Sequence, residues 1–331
     1  MPQIITRDNF SDFNDNLEIN WRKSYDQFPK VAAQLYDMQD VDVDTGDESG
    51  LDGFSVAKRK GEGDDFVYLD ITQNYRKAWS VYEIGGMTKI TWIMRRAAKY
   101  GLINKRIRGL AESAAKRLEW DLTHRFTFAA STSYTDVDGN TVSTTVGDAF
   151  QLAYTAHTVP GSSTTYRNRI ANNPILSKGG IEAGEKLFAT QMIDTNGELI
   201  MDNPTHLIVS NDPTTVNTAL EYLRSVAAPD QNNSGVTNVY HLKYQLIVLP
   251  YLATTAAGAY DSTKANYWFL ANLNHSDAIV KVLEHPTFIP PTMMDGKEFE
   301  TMDWKYACHA AYAIEIIDPR WIVMSSGDGS A

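Results

Sequence analysis

The chain has 331 residues, of which 43% are hydrophobic and 21% are charged, and this composition excludes a disordered, fibrous or membrane-spanning protein. Its net charge of -11 disfavours a broad electrostatic grip on nucleic acid, because that grip comes from Lys and Arg side chains. The single cysteine, Cys308, excludes an intrachain disulfide and a multi-cysteine zinc site. No signal peptide is recognisable, so the protein is expected to be intracellular when it is made.

The first part of the chain predicts an N-terminal arm. Apolar residues recur with a loose helical period between Phe10 and Met38 and are interrupted at Pro29, which predicts a short amphipathic helix. These residues have no partner within the arm, so we expect it to be poorly ordered in a free subunit and to order against neighbours. The acidic, glycine-containing run from Asp40 to Gly53 predicts a connecting loop.

A long β-hairpin is predicted next, between residues 54 and 94. Phe66–Ile71, Trp79–Ile84 and Met87–Ile93 are rich in β-forming residues, and the turn is predicted at Gln73–Lys77. Aromatic and basic side chains beside an exposed turn usually seek a partner surface. The residues predicted to contact a neighbouring subunit are therefore Tyr75, Arg76, Lys77 and Trp79.

The clearest helix is predicted from Leu102 to Ala130. Apolar residues recur there every three or four positions, at Ile103, Ile107, Leu110, Ala114, Leu118, Leu122 and Phe126. A helix of this length is about 40 Å long, so it must lie along a sheet or a neighbour like a spine. A basic cluster surrounds its beginning and either touches DNA or forms ion pairs: Arg95, Arg96, Lys99, Lys105, Arg106 and Arg108.

The second half of the chain predicts alternating helices and strands. The pair Asp138-Gly139 predicts a short hairpin, and Ser177 predicts the N-cap of a helix. The run Asn211-Asp212-Pro213 predicts a helix start directly after a strand at 206–209. Together with strands at 244–249 and 267–270, these elements predict a compact α/β unit over 204–285. A final long strand is predicted at 304–316, where Cys308 and His309 point to opposite faces.

Motifs for catalysis are missing from the sequence. It contains no phosphate-binding loop, no dinucleotide fingerprint, no zinc-protease motif and no serine-hydrolase elbow. The acidic residues from Asp40 resemble a calcium loop, but Gly46 falls one position late and Leu51 occupies the position of the bidentate glutamate. The histidines are scattered singly along the chain. We therefore predict no enzyme, no cofactor and no metal site.

The order of the predicted parts resembles that of the tailed-phage major capsid proteins with the Hong Kong 97-type fold. The stretch LAYTAHTVPGSSTTYRNRIANN at 152–173 is similar to that family's Ala-His-x-x-x-Gly-Ser/Thr motif. PTHLIVSNDPTTVNTALEYLRS, NVYHLKYQLIVLPYL and NYWFLAN are similar to the strands and helix of its inserted domain, and IIDPRW is similar to its closing turn. The resemblance covers most of the chain from about residue 60 onward, and the order of the pieces is its specific signal.

This resemblance implies an α+β fold with five parts. They are an N-terminal arm (1–45), an extended β-hairpin loop (46–94), a peripheral domain with the spine helix (95–203), an inserted α/β axial domain (204–285) and C-terminal strands of the peripheral domain (286–331). It implies assembly into hexamers and pentamers of an icosahedral head shell, which encloses double-stranded DNA without reading its sequence. Separate scaffolding and portal proteins, no membrane, and assembly in the cytoplasm of a bacterial host are also implied. Some family members cross-link their subunits through a loop lysine, for which Lys58, Lys60 and Lys77 are the candidates by place.

Two other interpretations remain open at this point. An encapsulin-like shell on the same fold would enclose a protein cargo instead of DNA. A hydrolase would need a cluster of titratable groups in a cleft, and such a cluster is not recognisable in the sequence.

Overall fold

The structure is a computed structural model that describes residues 7–69, 71–97, 99–229, 236–291 and 303–329. Short 3-10 helices occupy Ala32–Leu35, Ser262–Lys264 and Leu273–His275. None of the helices in these ranges is both long and apolar enough to cross a membrane.

The α-helices are α1 (Arg7–Gln27), α2 (Trp92–Arg96), α3 (Tyr100–Thr127), α4 (Lys178–Thr190) and α5 (Pro213–Arg224). The strands are β1 (Asp37–Asp40), β2 (Thr45–Leu51), β3 (Gln73–Ser80), β4 (Tyr82–Ile90), β5 (Ser133–Thr135), β6 (Thr141–Ser143), β7 (His157–Thr158), β8 (Thr165–Tyr166), β9 (His206–Ser210), β10 (Gln245–Leu249), β11 (Trp268–Ala271), β12 (Ala278–Ile289), β13 (Trp304–Ile316) and β14 (Ile322–Ser325).

Helix α3 confirms the predicted spine. All seven apolar residues of its predicted stripe are buried. The first and second halves of the helix are covered by different elements. Ile103 and Ile107 in the first half pack against α1, in a cluster with the end of the first sheet. Leu122 and Phe126 in the second half pack in a larger cluster that joins two sheets. The spine helix therefore connects these two clusters of the core.

The first sheet has the strand order β1-β12-β13-β4, with β1 parallel to β12 and the other pairs antiparallel. Strand β13 confirms the final strand predicted from its alternating pattern. Cys308 is buried, whereas the ring of His309, on the other face, hydrogen-bonds to Glu284 at 2.7 Å. The hairpin predicted at Asp138-Gly139 is also confirmed, as β5 and β6, with Gly139 at a φ of +86°.

The second sheet has the order β10-β9-β11-β14. The Asp212 side chain accepts a hydrogen bond from the Thr214 N–H, Pro213 lies in the first turn of α5, and this helix leads to β10, parallel to β9. The structure differs from a sheet confined to 204–285 in two respects. Strand β12 begins within that range but pairs in the first sheet, and β14 from the C-terminal part completes the second sheet.

The N-terminal arm differs from its prediction. Leu17 and Trp21 of α1 are 1% and 2% exposed and pack on the spine helix, so the arm's apolar residues order against their own subunit and not, as expected, only against neighbours. The Glu119 carboxylate on α3 accepts hydrogen bonds from the Val31 and Ala32 N–H groups at 3.0 and 2.8 Å. Burial raises the pKa of Glu119 to about 7, although these two N–H groups oppose the shift. Residues 1–6 of the arm lie outside the described residues.

The predicted loop and hairpin between residues 40 and 94 are also arranged differently. The acidic run contains strand β2, which pairs antiparallel with β3, so Gln73–Lys77 lies inside a strand and not at a turn. Strand β4 ends at Ile90 and pairs with β13, and the predicted strand Phe66–Ile71 has no regular structure in its described residues. The two-stranded ribbon β2–β3 is therefore connected by the long segment between them.

Candidate assembly surfaces

The connection between β2 and β3, residues 52–72, is termed the extended segment. It contains neither helix nor strand in the residues that the structure describes. Phe66 is 82% exposed and Tyr68 is 96% exposed, and four other large apolar side chains are at least half exposed: Phe54, Val56, Val67 and Ile71. Loops of this length are uncommon unless they are functional, and contiguous exposed apolar residues mark interaction surfaces.

The middle of the extended segment has little contact with the rest of the subunit. Among the hydrogen bonds of the described residues, one joins it to another element, from the Val56 N–H to the Glu198 carboxylate at 3.2 Å. Its other contacts are local, such as the Lys60 ammonium 4.0 Å above the Phe66 ring centroid. The apolar side chains of the extended segment are therefore available to a partner.

The two predicted aromatic contacts lie in β3 and are buried in their own subunit. Tyr75 is 3% exposed, and its hydroxyl donates a hydrogen bond to the Thr158 carbonyl at 2.7 Å. Trp79 is 7% exposed and covers Gly46 on β2, where a Cβ atom would lie 2.6 Å from the indole ring. The expectation that these rings are exposed in the free subunit is therefore wrong. The alternation of Tyr75, Lys77 and Trp79 on one strand face was the signal that would have placed them in a buried strand.

The two predicted basic contacts have different surroundings. Lys77 points inward, where its ammonium donates to the Thr145 carbonyl at 2.8 Å and lies 3.8 Å from the Glu315 carboxylate. Arg76 points outward and pairs with Asp47, and its side chain is 65% exposed. Of the four predicted contact residues, Arg76 is thus the one that a neighbouring subunit can reach. The contact itself stays a prediction.

A second exposed apolar surface lies on the connection between α5 and β10, termed the α5–β10 loop, of which the structure describes residues 225–229 and 236–244. Val226, Val236, Val239 and Leu242 are between 57% and 75% exposed. Leu242 also has a φ of +55°, a region that a bulky residue seldom adopts, and its N–H donates to the Leu223 carbonyl at 2.9 Å. Backbone strain held in an exposed apolar loop points to a contact function.

A groove of about 820 Å³ runs between the spine helix, strands β4 and β13 and the β5–β6 hairpin. At its base, the Asp121 carboxylate accepts hydrogen bonds from Arg117 at 3.0 Å, the Tyr312 hydroxyl at 2.8 Å and the Tyr82 hydroxyl at 3.2 Å. Arg117 also reaches Asp136 on the hairpin at 3.2 Å. Each of these charges is engaged with the others, so the arrangement holds the hairpin to the helix.

Comparison with known proteins places this architecture in a family. The sequence model of the phage capsid protein family matches residues 75–325. No curated protein matches the chain. Among solved structures, the mature capsid of bacteriophage PhiM1 is similar with a TM-score of 0.51 and 9% identity, over 90% of this chain and 87% of that chain.

Other similar structures come from shells of different origin. The virus-like particle from Pyrococcus furiosus has a TM-score of 0.49 and 10% identity, over 94% of this chain and 98% of that chain. The procapsid of bacteriophage JBD30 has a TM-score of 0.48 and 11% identity, over 97% of this chain and 76% of that chain. At these identities the comparison with the PhiM1 capsid shows a shared fold. Because the family model matches most of its length, the chain belongs to the phage capsid protein family.

Proposed function

We propose that this chain is the major subunit of a tailed-phage head, which assembles into hexamers and pentamers that enclose double-stranded DNA. The observation that carries the proposal is the exposure of the apolar side chains in the extended segment. They are exposed although the two ends of the segment are held on the subunit body. An exposed apolar surface of this kind needs a partner, and family membership makes a second copy of the chain the partner of choice. Scaffolding and portal proteins would join assembly in the cytoplasm of a bacterial host.

The positions of the two exposed surfaces support ring formation. A ring of identical subunits requires heterologous contacts, in which one surface of a subunit meets a different surface of the next. The extended segment connects the two strands of the β2–β3 ribbon, whereas the α5–β10 loop precedes β10, an edge strand of the second sheet. We infer that the extended segment lies over an adjacent subunit and that the α5–β10 loop, in the proposed axial domain (204–285), lies toward the centre of each capsomer.

The extended segment offers a direct test of this function. We expect the double substitution Phe66→Ser and Tyr68→Ser to change the free energy of unfolding by less than about 0.5 kcal/mol, because both side chains are already in water. The yield of shells is expected to fall by about tenfold or more, since each lost apolar contact is repeated around the shell. The subunit is produced together with its neighbouring gene products, and particles are counted by negative-stain electron microscopy.

The matched control is Val137→Ser, which removes an apolar side chain that is 53% exposed on the β5–β6 hairpin. This variant should assemble like the parent chain. Monodisperse monomers of the parent chain under all conditions would contradict the proposed function. Particles that hold a protein cargo and no DNA would favour the encapsulin-like alternative.

A separate prediction concerns DNA, which the shell encloses. The side chains of the basic cluster that the structure describes are exposed, and none forms an ion pair with an acidic residue in the described ranges: Arg96, Lys99, Lys105, Arg106 and Arg108. With a net charge of -11, the subunit should still bind DNA weakly, with a dissociation constant above about 1 µM at physiological salt and no sequence preference.

Gel-shift titration at two salt concentrations measures this affinity. The substitutions Arg106→Gln and Arg108→Gln should weaken it further, whereas Lys178→Gln on α4 should have little effect. Submicromolar binding that survives the first two substitutions would show that DNA is gripped elsewhere on the subunit.

A further inference from the structure

Both ends of the extended segment meet the rest of the subunit at one buried place. At the first end, two N–H groups of Arg320 donate to the Asp52 carboxylate at 2.8 and 3.1 Å, and the Thr195 N–H donates to it at 2.9 Å. At the second end, the hydroxyls of Thr72 and Thr195 share a hydrogen bond. The Asp52 N–H also donates to the Thr72 carbonyl at 3.1 Å. The two ends are therefore held side by side on the body of the subunit.

The Arg320 guanidinium is fully engaged at this place. Its Nε donates to Asp318 at 2.8 Å, and its Nη1 donates to the Ile193 carbonyl at 3.0 Å as well as to Asp52. Asp318 in turn accepts a hydrogen bond from the Asn74 side chain on β3 at 3.1 Å. The side chains of Arg320 and Asp52 are 6% and 8% exposed. Asp52, Asp318 and Arg320 are termed the clamp.

The Asp52 carboxylate stays charged at neutral pH. Burial alone would raise the pKa of Asp52, but the hydrogen bonds and charge of Arg320, with the Thr195 N–H, outweigh burial and lower it. A planar guanidinium that meets a carboxylate through two parallel N–H groups fixes both distance and direction. The start of the extended segment is thereby oriented, and not merely tethered.

We propose that the clamp is a positioning device that fixes the direction in which the extended segment leaves the subunit body, and that shell assembly depends on this direction. The inference rests on the proposed function of the extended segment. The direction of the extended segment must be set at its ends, because its middle has little other support. Among the described hydrogen bonds, a single one joins the middle to the rest of the subunit. A buried ion pair adds little net stability compared with apolar packing, and its best-supported role is geometric specificity.

Distance measurement on the unassembled subunit tests the clamp directly. Spin labels are attached to cysteines that replace Asp65 in the extended segment and Lys186 on α4, both exposed, while the native Cys308 is buried. We expect Asp52→Asn to widen the distribution of label distances by about twofold or more, because the amide nitrogen faces the guanidinium without a charge. Arg320→Lys keeps the positive charge but loses the two parallel N–H groups of the guanidinium. It should widen the distribution of label distances similarly.

The control is Glu18→Gln, which removes the partly exposed partner of Arg22 on α1. Its distance distribution and shell yield should equal those of the parent chain. For the two clamp variants, we expect helix content by circular dichroism to be retained and shell yield to fall by about tenfold or more.

The two measurements separate this inference from the proposed function. If the parent chain forms no shells, the proposed function is contradicted. The label distances would still decide whether the clamp orients the extended segment. The clamp is refuted by a narrow distance distribution in both variants, or by normal shell yield despite a wide distribution. If Asp52→Asn fails to fold, Arg320→Lys decides, and unfolding of both variants shows that these residues serve folding instead.

Discussion

Replacing Phe126 by alanine is expected to lower the free energy of unfolding by about 3–5 kcal/mol, because it leaves a cavity where the spine helix meets the second sheet. The Phe126 ring is fully buried and meets three other rings edge-on, with centroid distances of 5.9 Å to Phe269, 6.4 Å to Trp321 and 5.8 Å to Tyr36. No single neighbour can move to fill the space, since the three lie in distant parts of the chain. Urea unfolding of the unassembled subunit, followed by circular dichroism, measures the loss.

The control for this substitution is Phe54→Ala in the extended segment, where the ring is 58% exposed. Its free energy of unfolding should stay within about 0.5 kcal/mol of the parent value. A loss below about 1 kcal/mol for Phe126→Ala would mean that the spine helix does not connect the two sheets energetically.

Replacing Trp21 by alanine is expected to release helix α1 from the spine while the two sheets remain folded. The indole is 2% exposed, stacks on Tyr25 at a centroid distance of 5.4 Å and lies 6.1 Å from the Phe288 ring. Its loss costs about 3–5 kcal/mol, which exceeds what an isolated amphipathic helix can supply for itself. Hydrogen exchange read by mass spectrometry should show α1 exchanging as an open segment, with strand β11 still protected.

Ile19→Ala serves as the comparison, because Ile19 lies on the same helix and is 48% exposed. It should leave the protection of α1 almost unchanged. Rapid exchange of α1 already in the parent chain would restore the hypothesis that the arm orders only against neighbouring subunits.

Elements with a strong internal period were predictable from the sequence. Helix α3 and strand β13 carry their own patterns, since the side chains that face the core recur at a spacing fixed by the backbone. The N-cap at Ser177 and the start of α5 at Asp212 were predictable for a related reason. A cap is decided by contacts within a few residues, so the local sequence contains the information.

Strand β2 was not predictable in this way. Its residues are mostly acidic or glycine, and the strand exists because it pairs with β3, where Asp47 lies opposite Ala78 and Trp79 packs over Gly46. The extended segment shows the converse error. Phe66–Ile71 has the composition of a strand, but β propensity reflects packing against a neighbour, and the subunit supplies none there. The four predicted contact residues lie on β3, whereas the exposed rings of Phe66 and Tyr68 lie on the extended segment.

Strand β14 has a consequence for the order of events during synthesis of the chain. The second sheet begins with β9 and β10, yet its edge at β11 is covered only when Ile322–Ser325 has been made and pairs antiparallel with it. Until then, β11 presents an unpaired edge, and β1 similarly waits for β12, whose Lys281 is 242 positions from Gln39. Native pairing so distant along the chain is slow and cannot be completed on a nascent fragment. A truncated product therefore cannot build the finished core.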